Sequence, residues 1–371
     1  MTSSSLTSRT IDALRFPCAV LVVLLHIWAI EPRTGPAAYS WYETVLMAFS
    51  EGICRIAVPT FFFISGYLFF FRLHPWDWNV WSQKLKKRAR TLLLPYILWI
   101  TLDIVWYFSL SLFRHVFFGW GSPFTFMSDN GWGLMYWNCA RNLLFTSSEN
   151  LFGWSMPSAF PFDFPLWFIR DLIILCLLAP VIDFAIRKTK GWILCLLYPL
   201  YMLQIWIPLE GFSSEGMFFF SLGAYFQIHG KGITSTFARF RIPSYILTAI
   251  AVFLCIRTYG DDCAWGYAKR FLTLPGCVAA FNLVSRLLQK GVWKDNPSLA
   301  EASFPLFAAH TIGLPLLTGF LLEKLLPWEG DAVLLLRALI KPVLIIAIIL
   351  ILFRWAKRVI PKTTALFTGG R

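Results

Sequence analysis

The chain has 371 residues, 57% of them hydrophobic and only 14% charged, with a net charge of +13. A soluble domain carries about 25% charged residues, so a water-facing surface of this size could not be covered and a soluble globular enzyme is excluded. An aromatic content of 18%, with 18 Trp and 36 Phe, fits the belts that anchor helices at membrane interfaces.

Ten apolar stretches approach the roughly 20 residues that a spanning helix needs. They run over about 11–30, 52–71, 92–113, 164–186, 191–208, 212–229, 243–257, 267–288, 300–322 and 332–354. The predicted fold is therefore all-α, a polytopic membrane helix bundle forming one domain over residues 1–371. The first stretch holds Arg15 and His26 and is followed by no small-residue cleavage motif, so it reads as a retained helix rather than a signal peptide. The run 114–163 is rich in Gly, Ser, Pro, Trp and Asn and reads as an ordered external loop.

Basic residues collect in alternate connections, which sets orientation in a membrane. Lys84 to Arg90, Arg187 to Lys190, Lys231 to Arg241, Arg286 to Lys294 and the tail from Arg354 form one set. Glu31, Glu43, Asp129, Glu149, Asp261, Asp262, Glu323, Glu329 and Asp331 lie in the other. Both termini are thereby placed in the cytoplasm. The same distribution accounts for the net charge without a nucleic-acid partner.

Charged side chains inside a bilayer cost about 2.5–3.5 kcal/mol or more and call for a reason. Arg15 and His26 are eleven residues apart on the first helix. At 100° per residue they fall within about 20° of one another, and they are separated by about 16 Å along the axis. A ligand entering from the cytoplasm could leave an anionic end on Arg15 and place its reactive end at His26. A snorkelling Arg and a hydrogen-bonded core His are the plainer alternative. His26 suits a general base, since its ring titrates near neutrality and can accept and donate.

Further along, Ser65 and Gly66 end the second helix and allow close helix approach. Lys84, Lys86, Lys87, Arg88 and Arg90 precede the third; they read as a topology anchor or as a phosphate site, where Arg offers a bidentate fork. Pro165, Trp167 and Phe168 open the fourth stretch, followed by Arg170 and Asp171, whose side chains should point about 100° apart and meet different partners. Ser303 and His310, seven residues apart, share a helix face, and His310 is either a second site group or a satisfied core histidine. No G-x-S-x-G elbow is present, and the five histidines lack metal-ligand spacing, so no metal is expected. The eight cysteines form no C-x-x-C pair and most sit inside apolar runs, where they read as small buried apolar residues; Cys139 and Cys263 lie in candidate external loops, where they could pair.

Taken in order, these residues resemble the membrane acyltransferase family often called acyltransferase-3, from about Arg9 to Phe353. The resemblance is carried by Arg15 and His26, by the tract Phe62, Phe63, Ser65, Gly66, Tyr67 and Leu68, by Arg88 with Pro95, by Trp167 with Phe168, and by Ser303 with His310. One departure stands at Thr91, where many members carry a second Arg; Lys87 or Arg90 would supply that charge. The resemblance implies a bacterial inner-membrane O-acyltransferase, with O-acetyl transfer expected, that takes the acyl group from cytoplasmic acetyl-CoA or another acyl-CoA to a hydroxyl of a cell-envelope sugar or glycoside. It implies catalysis by His26 with Arg15, acyl-CoA binding by Arg88, Lys87 and Arg90, and support from Ser65, Trp167, Ser303 and His310. The other class to weigh is a transporter or flippase of an anionic or lipid-linked sugar, which would call for inverted repeats or paired broken helices.

Overall fold

The computed structural model describes residues 3–31, 33, 39–73, 76–122, 124, 134–139, 148–149, 155–156, 160–207, 209–294 and 296–370. His74, Asp129 and much of the 114–163 connection lie outside these residues.

The first apolar stretch is one helix, α1 (Ser3–Ile27). A capping box opens α2 (Trp41–Met47): Ser40 Oγ accepts from the Glu43 amide while the Glu43 carboxylate accepts from the Ser40 amide. That helix runs through a π turn and a 3₁₀ turn (Ile53–Ile56) into α3 (Ala57–Phe70). Asp77 caps α4 (Trp78–Arg88), which continues through a π turn into α5 (Leu94–Phe118). Gly119, with φ +67°, ends α5 in the left-handed conformation that a side chain would resist.

The connection that follows holds a 3₁₀ turn (Leu134–Tyr136) and a two-residue antiparallel pair, β1 (Ser148–Glu149) with β2 (Ser155–Met156). A second 3₁₀ turn (Phe164–Leu166) leads into α6 (Trp167–Leu177). Then come α7 (Ala179–Lys188), α8 (Ile193–Met202), α9 (Ser214–Ile228), α10 (Ile233–Arg239), α11 (Arg241–Thr258) and α12 (Asp262–Gln289). The chain closes with α13 (Pro297–Ala309), α14 (Leu314–Leu325), α15 (Asp331–Val359) and α16 (Pro361–Thr368).

The predicted helix bundle is thus present, and the chain is a multi-pass membrane protein. Six helical stretches are long and apolar enough to cross a bilayer: Leu6–Ile27, Trp41–Phe70, Trp78–Phe118, Arg241–Thr258, Asp262–Gln289 and Asp331–Val359. A seventh arises if α13 and α14, bent by 85°, count as one broken span. The expected stretches 164–186, 191–208 and 212–229 form shorter helices. The first is broken at Leu178, ahead of Pro180; the second is helical over 10 residues and the third over 15. At 1.5 Å per residue, 15 residues reach about 22 Å, less than the roughly 30 Å of a hydrocarbon core.

Close backbone approach builds the centre. A Cβ on Gly66 of α3 would stand 2.1 Å from the Phe220 carbonyl oxygen of α9, and one on Gly223 of α9 would stand 2.1 Å from the Phe63 carbonyl oxygen. Small residues let apolar helices meet where lipid offers no hydrophobic drive between them. Phe62, Phe63, Phe219 and Phe220 fill the space on either side and are wholly buried. α1 threads the middle, packed by α13, α12, α3 and α15. Ile242, Ile246 and Phe253 of α11 and Val343 and Ile351 of α15 are exposed, as lipid-facing positions should be.

Candidate active site

Two helices position the chemistry. α1 and α13 lie side by side, and at one end they frame a cleft of about 480 Å³. Arg9, Asp12 and Arg15 line it from α1; Asn296, Glu301 and Ser303 line it from the start of α13. Eleven residues beyond Arg15 stands His26, and seven beyond Ser303 stands His310. Their imidazoles stack, with centroids 5.2 Å apart and planes inclined by 13°. The helices therefore run in parallel, and four residues expected to act together are brought together: Arg15 and Ser303 at the cleft, His26 and His310 at the far end.

Arg15 pairs with Asp12 at 3.1 Å, but the two side chains are 35% and 52% exposed. Such pairs contribute little, so an incoming anion can compete for the guanidinium. Ser303 donates its hydroxyl to the Ala300 carbonyl at 2.7 Å, within its own helical turn.

The two histidines differ in access. His310 is fully buried, and its Nδ1 lies 2.7 Å from the Phe307 carbonyl oxygen. A carbonyl only accepts, so Nδ1 carries the proton and Nε2 holds a lone pair, which has no hydrogen-bond partner among the described residues. His26 is half-buried, in an edge-to-face arrangement with Phe164 at a centroid separation of 4.5 Å. It is the more exposed of the two imidazoles. His310 sits where α13 breaks; Gly313, with φ +66°, makes the bend, and a Cβ there would collide with Trp106. Thr311 donates to Asp163 at 2.9 Å and so ties the break to the turn that carries Phe164. Burial, and then the neighbouring Asp103, push the Asp163 carboxyl well above the usual carboxylate range.

An aromatic layer joins the remaining motifs. Phe61 and Phe62 of α3 meet Phe168 at 5.8 and 4.6 Å, and Phe168 meets Phe307 of α13 at 5.8 Å. Trp167 lies 6.0 Å from Phe62 and 6.4 Å from Phe160. Ser65 is half-buried beside Gly66, and among the described residues no hydrogen bond joins it to the histidines.

Arg170 and Asp171 depart from expectation. Both are buried and pair with one another at 3.3 Å, because the long guanidinium arm folds back across the 100° between them. Each also finds a further partner: Arg170 donates to the Trp137 carbonyl at 2.6 Å, and Asp171 accepts from the Ser213 amide at 3.2 Å. Cys139 is buried and Cys263 exposed, and no disulfide joins them.

The basic cluster stands apart from the cleft. Lys84 donates to the Phe71 carbonyl at 2.7 Å, the Arg88 guanidinium lies 5.9 Å from the Phe69 ring, and Lys87 and Arg90 are exposed. α4 packs on α6, and none of these side chains lines the cleft. Phe69 lies near the end of α3, 14 residues beyond Arg55 in the turn that precedes it, about 21 Å by helical rise, so the cluster occupies the end of the bundle away from His26. At Thr91, the backbone faces Gly369, where a Cβ would come within 2.5 Å of the Thr91 carbonyl oxygen.

A second polar group inside the bundle was not anticipated. Arg55 forks Glu51 at 2.6 and 3.1 Å and lies 5.3 Å from the Trp265 ring. Lys269 Nζ is 4.0 Å from the same ring centroid. Glu215 accepts from Tyr201 at 3.3 Å, and the Tyr201 hydroxyl also meets Thr273 at 3.1 Å. Arg55 lies within electrostatic reach of His26. The signal that could have found these residues was charge inside an apolar stretch: Arg55 falls in 52–71, Glu215 in 212–229 and Lys269 in 267–288.

Comparison with known proteins adds a family. A family model described as an acyltransferase domain matches residues 9–354. The succinoglycan biosynthesis protein ExoH of Rhizobium meliloti (strain 1021) is 27% identical over 374 residues, covering 98% of this chain and 92% of that protein. No solved structure matches.

Proposed function

From the premise that this chain belongs to the membrane acyltransferase family whose model spans it, we propose that it moves an acyl group from cytoplasmic acyl-CoA, acetyl-CoA in the first instance, to a hydroxyl of a cell-envelope polysaccharide. The observation that carries this reading is the His26–His310 stack at the opposite end of α1 from the Arg15 cleft. An anionic donor enters at the basic end, with its phosphates on Arg88, Lys87 and Arg90. Its arm passes Arg15 and presents the thioester to His26. An imidazole nitrogen of His26 takes the proton of the acceptor hydroxyl as its oxygen attacks the thioester carbonyl. The C–S bond breaks, the thiolate of CoA leaves, and the proton passes from His26 to that sulfur. His310, held by Phe307, keeps the ring of His26 in place.

A bacterial inner membrane, with both termini of the chain in the cytoplasm, completes the proposal. A transporter would pair one broken helix with a second in an inverted repeat; the described residues hold one bent pair, α13 with α14.

The test is to incubate membranes carrying the protein with radiolabelled acetyl-CoA and base-deacylated succinoglycan oligosaccharides, the glycan being chosen from the name of the relative. Label in the oligosaccharide, and none from membranes lacking the protein, is the expected result. Label that stays in water-soluble acetate alone would remove glycan acylation from the reading.

A further inference from the structure

The mixed-charge group beyond His26 has no part in the donor path. Its members come from separate parts of the chain: Arg55 from the turn before α3, Glu215 from the first turn of α9, and Lys269 with Trp265 from α12. All four are half-buried, keeping partial exposure between the helices that carry them.

Their pairing is incomplete in a specific way. Arg55 is satisfied by Glu51. Tyr201 joins Glu215 to Thr273, one turn beyond Lys269 on α12, yet Glu215 and Lys269 form no ion pair with one another among the described residues. Tyr201 holds Glu215 from behind. The Trp265 indole N–H is buried without a partner among the described residues. Ionisable groups between membrane helices are costly, and a gap between two opposite charges leaves part of that cost unrelieved. A neutral group that both donates and accepts would relieve it: a hydroxyl can give its proton to the carboxylate and accept from the ammonium. A charged ligand would satisfy one partner and oppose the other.

We infer that Glu215, Lys269 and Trp265, with Arg55 between them and His26, form the subsite for the acceptor, and that it selects an uncharged, polyhydroxylated sugar ring. The assignment rests on the acyl-transfer reading for calling that sugar the acceptor; the binding itself does not.

The experiment is a fluorescence titration of the purified full-length protein with base-deacylated succinoglycan oligosaccharides, alongside CoA binding to the same preparations. Glu215→Gln and Lys269→Gln should each weaken oligosaccharide binding by about 10-fold or more, the usual consequence of losing a hydrogen bond to a charged group. CoA affinity should stay within about 2-fold, which also reports that the fold survives. Tyr201→Phe keeps the ring and removes the hydroxyl that holds Glu215, so it should weaken oligosaccharide binding by several-fold. Oligosaccharide binding unchanged in Tyr201→Phe and in whichever Gln variants fold, a loss of CoA affinity in place of sugar affinity, or no oligosaccharide binding by the unaltered protein would each overturn the assignment. If sugar binds and the variants lose it, but no acyl group is transferred, the subsite stands and the acyl-transfer reading fails.

Discussion

The two ends of α1 handle charge in opposite ways. At the Arg15 end, charges face a wide cleft: Arg15 and Asp12 pair weakly in partial contact with water, and the Lys84–Arg90 cluster of the same end carries exposed Lys87 and Arg90. At the His26 end, the ionisable side chains are held by rings or by buried partners. His26 lies between Phe164 and His310, Arg55 is forked on Glu51, and Glu215 is held by Tyr201. Charge in water is inexpensive and loosely placed, suited to catching a flexible anion. Charge between helices is costly and closely placed, suited to aligning reacting atoms.

The contrast requires the two ends to lie on opposite sides of the membrane, and that is the first point at which to break it. Reporter fusions after Lys188 and after Arg358 should report the cytoplasm, and a fusion after Gly121 should report the outer side. An activity assay of each fusion in intact cells reads the answer as all or none. A cytoplasmic signal after Gly121 would put both ends of α1 in question at once.

Next in size is the chemistry at the costly end. A positioned general base contributes about 10²–10⁴-fold. His26→Ala should lower acyl transfer by that order while acyl-CoA still binds, measured by label transfer and by equilibrium binding on the same membranes. Near-normal transfer would end the role of His26 and leave the family membership intact.

Smaller effects belong to the cleft. Arg15→Lys keeps the charge but loses the planar fork, and the KM for acyl-CoA should rise by about 10-fold, the scale of one charge-assisted hydrogen bond. Steady-state kinetics with kcat unchanged would place Arg15 in donor capture; a fall in kcat with KM unchanged would move it into the chemistry at the other end.

How much of this was legible follows the same divide. The eleven-residue spacing of Arg15 and His26 fixed a shared face, because helical period alone decides it. The seven-residue spacing of Ser303 and His310 did the same for α13. That the two imidazoles stack depends on α1 lying against α13, a tertiary contact with no local signature. Gly66 was readable as a point of close approach, but its partner Gly223 was not, since nothing local links α3 to α9. Arg55, Glu215 and Lys269 were each visible as charges in apolar stretches, yet their convergence needed three separate helices. The breaks at Leu178 and after Met202 were masked by continuous hydrophobicity, although Pro180 was a signal that the 164–186 stretch would divide.

The smallest expected effect lies with Arg88, and it tests whether the basic end is a binding site or an anchor. Arg88 is half-buried over Phe69, while Lys87 and Arg90 beside it are exposed. Exposed charges at this spacing can substitute for one another, so Arg88→Ala should weaken CoA binding by only a few-fold at 0.1 M salt, where the Debye length is about 10 Å. Raising the salt towards 1 M shortens that length to about 3 Å and should weaken binding by the unaltered protein as well, narrowing the gap between the two. A binding site thus shows two linked signatures in one titration of CoA against salt: a modest loss on substitution, and a loss that shrinks as salt rises. An anchor for membrane orientation shows neither, because CoA never meets it. Equal CoA affinity for both proteins at every salt concentration would leave the cluster with its topological role alone, and donor capture would then fall to Arg9, Arg15 and the start of α13 around the cleft.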